Sequence, residues 1–343
     1  MEKLLTIIIP SYNMEKYLSI CLDSLLIPSI DKIEILIIND GSKDNTLEIA
    51  NQYHTQYPNS IRVIDKENGN YGSCINRGLK EATGKYIKVL DADDSFDKSV
   101  FEDFVNFLGY HDCDLIISDY VMIDELGNIL SEKLMTSGLE PNTVLPFNGL
   151  FEDKHQIIGM HGITYKTQNL RDMGYTQTEG ISYTDQEWIF SPMIKVKTAA
   201  IFPKVLYKYL IGRIGQTVSA DFAKRIVPFE LITKKEISIL RSNFETIDES
   251  HRNYLIQRII FSLKSVYDLI ILDSKFHEYN IFLSEFDEKY IKSFTPLFKI
   301  TSELLYKSNI PFKYINIWRK SDYKFNNWKL RLFRQILNIY RTL

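Results

Sequence analysis

The sequence predicts an α/β protein, a mostly parallel open sheet flanked by helices and followed by a C-terminal helical region. Over about the first hundred residues, short β-branched runs alternate with helical patterns across short connections, the order that builds parallel strands. Three of those runs end in polar clusters: Pro10-Ser11-Tyr12-Asn13, Asn39-Asp40-Gly41-Ser42 and Asp91-Ala92-Asp93-Asp94. Beyond about Thr217 the strand signal stops and helix follows helix, with Pro228, Pro296 and Pro311 as punctuation.

Leu4 to Ile9 is a buried-strand run closed by Pro10. A helix follows, with Tyr17, Leu18, Cys21, Leu22, Leu25 and Leu26 on one face, and Pro28 ends it. Ile33 to Ile38 is the second strand, and Ser42 is placed to cap a helix from Asp44 to Tyr57. Ile61 to Ile64 is the third strand. The Gly-rich stretch Asn68-Gly69-Asn70-Tyr71-Gly72 then enters a helix through Ala82, stopped by Gly84. Lys85 to Leu90 is the fourth strand, and Asp94 or Ser95 can cap a helix from Phe96 to Leu108.

From about Asp114 the pattern loosens. Leu115–Ser118, Tyr120–Ile123, Ile157–Tyr165 and Ala199–Ile211 carry strand composition, with a helix from Asp185 to about Ile194. The expected organisation is a domain over 1–216, its halves about 1–110 and 111–216, then a helical region over 217–343.

A chain of 343 residues with a formal net charge of −3 is large enough for a substantial core and is no general nucleic-acid binder. Cys21, Cys74 and Cys113 are scattered without metal-type spacing and are expected to be reduced structural thiols. No apolar run reaches the roughly 18 to 20 residues that span a bilayer. The expectation is a cytoplasmic protein, or one peripheral on the inner face of the cell membrane.

Parallel strands present their C-terminal ends on one edge, where open α/β sheets bind ligands, so the three polar clusters converge on one crevice. In Asp91-Ala92-Asp93 the two carboxylates are two residues apart and, in extended backbone, face one side. That suits an oxygen-seeking cation such as Mg²⁺ or Mn²⁺. Asp94 is left for helix capping or outer support. Thr184-x-x-Glu187 fits a capping box that would set Asp185 in the first turn of a helix and explain these acids by helix initiation alone. His161 in Gly159-Met160-His161-Gly162 is read as structural.

In order and spacing, Pro10–Asn13, Asn39–Ser42 with Asp44-Asn45-Thr46, the Asn68–Gly78 helix entry, Ala82–Ile87 and Leu90–Asp94 resemble the family two glycosyltransferases of GT-A fold, in particular bacterial surface-polysaccharide enzymes. The resemblance is dense over about the first 110 residues and sparser to about 220. It implies a nucleotide-sugar donor, a UDP-sugar, bound across the strand ends. Pro10, Tyr12, Asn13, Asp40 and Asn68 would surround the nucleoside. Asp93 would be the firmest ligand of Mn²⁺ or Mg²⁺, Asp91 would be shared between metal and ribose, and Asp185, ionised near neutral pH, would be the catalytic base, with Glu179 and Glu187 as its rivals. Arg213, Gln216 and Ser219 would belong to a strip closing over the diphosphate. The implied reaction is a metal-dependent, inverting single displacement onto a hydroxyl of a glycan or lipid-linked acceptor. No Gln-x-x-Arg-Trp motif of the processive synthases occurs, which favours one sugar per encounter.

Two other readings stand beside this one. A sugar nucleotidyltransferase also uses paired acids on an α/β sheet, but no Gly-rich, Arg-containing phosphate loop follows the first strand. A catalytically silent GT-A-like scaffold is opposed by the presence of Asp91, Asp93 and Asp185 together. From Lys313 onward, Lys313, Arg319, Lys320, Lys324, Lys329, Arg331, Arg334 and Arg341 face Asp322 alone, interleaved with aromatic and aliphatic residues. This segment suits an anionic membrane surface, or a helix packed on the domain with solvated cations.

Overall fold

The computed structural model describes residues 3–150, 158–213, 215–216, 222–307 and 310–342. The chain divides into two compact units, Met1–Pro228 and Phe229–Leu343. Ile157, Thr217 and Ser219 lie outside the described residues.

Among the described residues the first unit is built on one mixed sheet of ten strands. Its first half is parallel: β1 (Leu5–Ser11), β2 (Ile33–Asp40), β3 (Ile61–Lys66) and β4 (Tyr86–Val89) lie in the order β3-β2-β1-β4. The helices α1 (Leu18–Asp23), α2 (Thr46–Gln56) and α3 (Asn70–Glu81) make the crossovers. The order turns back between β1 and β4, and a crevice forms at the carboxyl ends of the strands at such a reversal. Strand residues alternate between faces. Leu5, Ile7 and Ile9 with Ile33, Ile35 and Ile37 therefore pack against Leu18, Leu22, Phe101 and Phe104 in the core. Each fully buried side chain of this size contributes roughly 1.5–3 kcal/mol. On the opposite face Ile8 presses on Gly78, where a Cβ would come within 2.6 Å of it.

The second half is mixed. After β5 (Ser95–Phe96) and α4 (Lys98–Gly109) come β6 (Leu115–Ile123), β7 (Ile129–Lys133), β8 (Val144–Pro146), β9 (Ile163–Lys166), α5 (Thr167–Asp172), α6 (Asp185–Trp188) and β10 (Thr198–Leu210). β9 runs antiparallel between β4 and β6, and β10 pairs with β6 in parallel and with β5 antiparallel.

Several local expectations are corrected. Neither Asp94 nor Ser95 caps a helix from Phe96: Ser95 and Phe96 pair with Lys208 and Tyr207, and Asp97 caps α4 through the Ser99 and Val100 N–H groups. Ser42 does not cap α2. Its hydroxyl accepts from the Asn13 N–H at 3.1 Å, and Asp44 takes the Thr46 N–H at 3.0 Å. The helix expected from Asp185 to Ile194 is the single turn α6 followed by a 3₁₀ segment, Ser191–Lys195. The capping box is not formed, because the Thr184 hydroxyl reaches Gln177 while Glu187 accepts from the Thr178 N–H. The two apolar runs around Ser118 are one continuous strand, β6.

The second unit is helical. Its helices are the greater part of α7 (Phe222–Asn243), then α8 (Glu249–Leu272), α9 (Asn280–Phe286), α10 (Thr295–Glu303), α11 (Tyr314–Lys320) and α12 (Trp328–Thr342). Pro228 lies inside α7 rather than between helices, whereas Pro296 sits at the start of α10, where a missing N–H costs nothing. Asp287, fully buried, is matched by the guanidinium of Arg319 at 2.6 and 2.9 Å. Among the described residues no helix is long and apolar enough to cross a membrane.

Candidate active site

The ends of β1, β2 and β4 open onto a cleft of about 560 Å³. Its lining brings together Pro10, Tyr12, Asn13, Asp40, Asn68, Asp91, Asp93, Asp185, Arg213 and Gln216, every donor and metal candidate picked from the sequence among the described residues and the first-choice base. Several are held by local structure. Asn13 adopts φ 54°, a left-handed conformation that Asn tolerates, and its Oδ1 accepts from the Lys43 N–H at 2.8 Å, tying the loop after β1 to the loop after β2.

Asp40 ends β2 almost wholly buried. Its Oδ1 meets Lys66 Nζ at 2.5 Å and the Gly69 N–H at 2.9 Å, while Asn68 Nδ2 donates to the Asp40 carbonyl at 2.9 Å. These bonds fix the entry of α3 against the end of β2. Asn39 turns away from the cleft to Asp65.

The acidic loop is fixed by β10. Tyr207 donates its hydroxyl hydrogen to Asp94 Oδ2 at 2.6 Å and accepts from the Asp91 N–H at 3.2 Å, and the Leu210 N–H reaches Asp94 Oδ1 at 2.7 Å. Asp94 is thus a buried anchor of the loop. Asp91 accepts from the Tyr71 hydroxyl at 2.9 Å. Burial first, then the charge of Asp93 and that of Asp185, push the Asp91 carboxyl well up from the usual carboxylate range. Asp93 forms an ion pair with Arg213 from the loop after β10. Gln216 turns back onto that loop, its amide reaching Leu210 O at 2.7 Å.

The chemistry of this corner fits a divalent cation. Three carboxylates lie within four consecutive positions, and Asp91, Asp94 and His161 offer ligand atoms within 4.8 Å of one another. His161 lies in a 3₁₀ turn, Met160–Gly162, stacked on Tyr209 at 4.3 Å. Burial, then the charge of Lys88, push its pKa down to about 3, so it stays a neutral imidazole, the form that binds metal. Among the described residues nothing pairs with its buried Nδ1.

Lys88 is fully buried on β4, held by the His161 and Ile163 carbonyls at 2.7 and 3.1 Å, and burial pushes its pKa down to about 7. Sequence reasoning set His161 aside and missed Lys88, Tyr71 and Tyr207. The one signal for His161 was its flanking glycines: a Cβ on Gly162 would come within 2.6 Å of Ser118 O.

The loop before α6 separates the three candidate bases. Glu179 accepts from Asn76 Nδ2 at 2.8 Å, and Glu187 is buried against the Thr178 N–H at 3.0 Å. Asp185 is the one of the three that lines the cleft. The loop is positioned by α3, where Gly72 packs so closely on Thr178 that a Cβ would lie 2.1 Å from its carbonyl oxygen.

Residues 6–165 match the model of "Glycosyl transferase family 2". That stretch is a glycosyl transferase family 2 domain. The chain is 45% identical over 172 residues to the "Uncharacterized glycosyltransferase MG025" of Mycoplasma genitalium, a match covering 45% of this chain and 56% of that protein. It is 38% identical over 108 residues to the "Minor teichoic acid biosynthesis protein GgaB" of Bacillus subtilis, covering 31% of this chain and 12% of the relative. The chain therefore spans little more than half the length of the first relative and about an eighth of the second. In structure it is similar to S. aureus TarS 1-349 in complex with UDP-GlcNAc, with a TM-score of 0.70 at 19% identity, covering 99% of this chain and 92% of that one. The fold around the family 2 domain is accordingly of GT-A type.

Proposed function

We propose that the protein is a glycosyltransferase that moves one sugar from a UDP-sugar to a hydroxyl of a glycan or lipid-linked acceptor in cell-surface polysaccharide synthesis. One observation carries this reading: a single cleft at the strand-order reversal of a family 2 domain is lined by Asp40, Asp91, Asp93, Asp185 and Arg213. A relative named for teichoic acid biosynthesis and a fold neighbour crystallised with UDP-GlcNAc support the donor and the pathway class.

In this reading Pro10, Tyr12, Asn13 and Asn68 pack around the nucleoside, and Asp40, oriented by Lys66 and Gly69, faces the base or ribose. Asp93 and Asp91 would hold Mn²⁺ or Mg²⁺, with the neutral His161 within reach of Asp91. When bound, the cation neutralises the diphosphate and stabilises the charge that builds on it as the leaving group. Arg213 turns from Asp93 to the diphosphate, a charge-assisted contact suited to its guanidinium, and Gln216 lies in the same strip. Asp185 takes the proton of the acceptor hydroxyl. With one base and no nucleophile assigned on the opposite side of the sugar, the displacement is single and inverts the anomeric centre.

The test is a panel of nucleotide sugars assayed for nucleotide release with acceptor, followed by NMR of the product anomer. A UDP-sugar as best donor and an inverted product are expected. A retained anomer would contradict the single displacement.

A further inference from the structure

Helix α12 has two apolar faces, and one of them meets solvent. On the packed side Leu330 is wholly buried, Leu337 nearly so, and Phe333 stacks on Phe312 at 4.1 Å. On the other side Trp328, Leu332 and Ile336 are 66%, 49% and 42% exposed. Residues four apart on a helix lie one above another, so these three form a continuous apolar ridge. Lys329 and Arg331, both exposed, flank it.

Arg331 also borders a cleft of about 310 Å³, shared with Arg334, Gln335, Ser274 and Asn326. Arg334 is pre-set there: it donates to Phe325 O at 2.7 Å and to Leu330 O at 3.2 Å, and meets His277 Nε2 at 3.0 Å. His277 in turn stacks on Phe325 at 3.8 Å. The ion pairs described in this unit use other cations, among them Lys313, Arg319 and Lys324. The nearby Asp273 carboxylate accepts from the Lys275 N–H. Among the described residues, two guanidiniums therefore converge on one cleft with no carboxylate in its lining, beside a solvent-facing ridge that starts with tryptophan.

We propose that this face of α12 docks on an anionic phospholipid membrane, the Trp328-Leu332-Ile336 ridge entering the headgroup and acyl boundary while the Arg331–Arg334 cleft takes a lipid phosphate. The charge is of one sign, as an anionic leaflet requires, and the aliphatic ridge gives the contact a component that phosphate alone does not satisfy. Glycosyl transfer is not needed for this docking, so the two claims stand or fall separately.

The test is flotation of the full chain with vesicles of phosphatidylcholine alone and of phosphatidylcholine containing phosphatidylglycerol. Flotation only with the anionic vesicles, weakened by salt, is expected. Leu332→Ser with Ile336→Ser should cut bound protein by roughly tenfold. Arg331→Gln should cut it several-fold, and unfolding temperatures should stay at that of the parent chain. Failure of the parent chain to float, equal flotation with both vesicles, or unchanged flotation of the folded variants would overturn the proposal. So would ridge variants that change only the oligomeric state in light scattering, or binding of inorganic phosphate without vesicle binding.

Discussion

Arg213 and Asp93 form an ion pair inside the cleft, with side chains 12% and 9% exposed. Asp91, two residues before Asp93, is paired instead with a neutral phenol, that of Tyr71. A guanidinium and a divalent cation compete for Asp93 in the proposed reaction. Arg213→Ala is therefore expected to tighten Mn²⁺ binding about tenfold in the absence of donor, roughly 1.4 kcal/mol, while raising the KM for the donor. Mn²⁺ titration by electron paramagnetic resonance, alongside donor kinetics, checks both halves. Weaker Mn²⁺ binding in this variant would mean that Arg213 organises the metal corner.

Asp185→Asn keeps shape and removes the ionisable proton acceptor. Turnover near neutral pH should fall roughly 10²–10⁴-fold with little change in donor KM. Pre-steady-state product formation is the appropriate readout. Normal turnover would move the base elsewhere, though Glu179 and Glu187 are already engaged with Asn76 and Thr178.

Tyr207→Phe removes the hydroxyl shared by Asp91 N–H and Asp94. The buried Asp94 then keeps only the Leu210 N–H of the two contacts described. Denaturant unfolding should show a loss of about 1–3 kcal/mol, the cost of leaving a buried polar group short of a partner. A variant as stable as the parent would mean that Asp94 is not held through β10.

Asp97 caps α4 and pairs with Lys208 at 2.9 Å, and its hydrogen bonds bring its pKa down to about 2 despite burial. A carboxyl bound more tightly when ionised stabilises the fold above its unfolded value near 4, and that stabilisation is lost as pH falls toward 2. Allowing for solvent screening of this partly exposed pair, Asp97→Asn should cost about 1–2 kcal/mol at pH 7. Urea midpoints of the parent and variant should converge between about pH 4 and pH 2. A difference constant with pH would exclude the ionised carboxyl as its source.

The first hundred residues were legible because their determinants are local: Leu5–Ser11 and Ile33–Asp40 are apolar runs, and their ends meet wherever parallel strands are laid side by side. What escaped the sequence depends on partners far along the chain. Ser95 and Phe96 have the local pattern of a helix start, yet pairing with Lys208 and Tyr207 makes them a strand. The same strand turns Asp94 from an expected cap into a buried anchor. His161 resembles any lone histidine until Tyr209 and Lys88 are set around it. Asp185 could not be separated from Glu179 and Glu187 by spacing, because the choice rests on which acid α3 and the loop before α6 leave facing the cleft.

The central claim is that the Asp91–Asp93 corner supports metal-dependent transfer from a UDP-sugar. The most direct measurement is UDP release from a panel of UDP-sugars by the parent chain and by Asp93→Ala, with Mn²⁺, with Mg²⁺ and with chelator, each protein checked for its unfolding temperature. The account predicts release that requires the cation and is abolished in a folded Asp93→Ala variant. Full activity in that variant, or release unchanged by chelator, would contradict it.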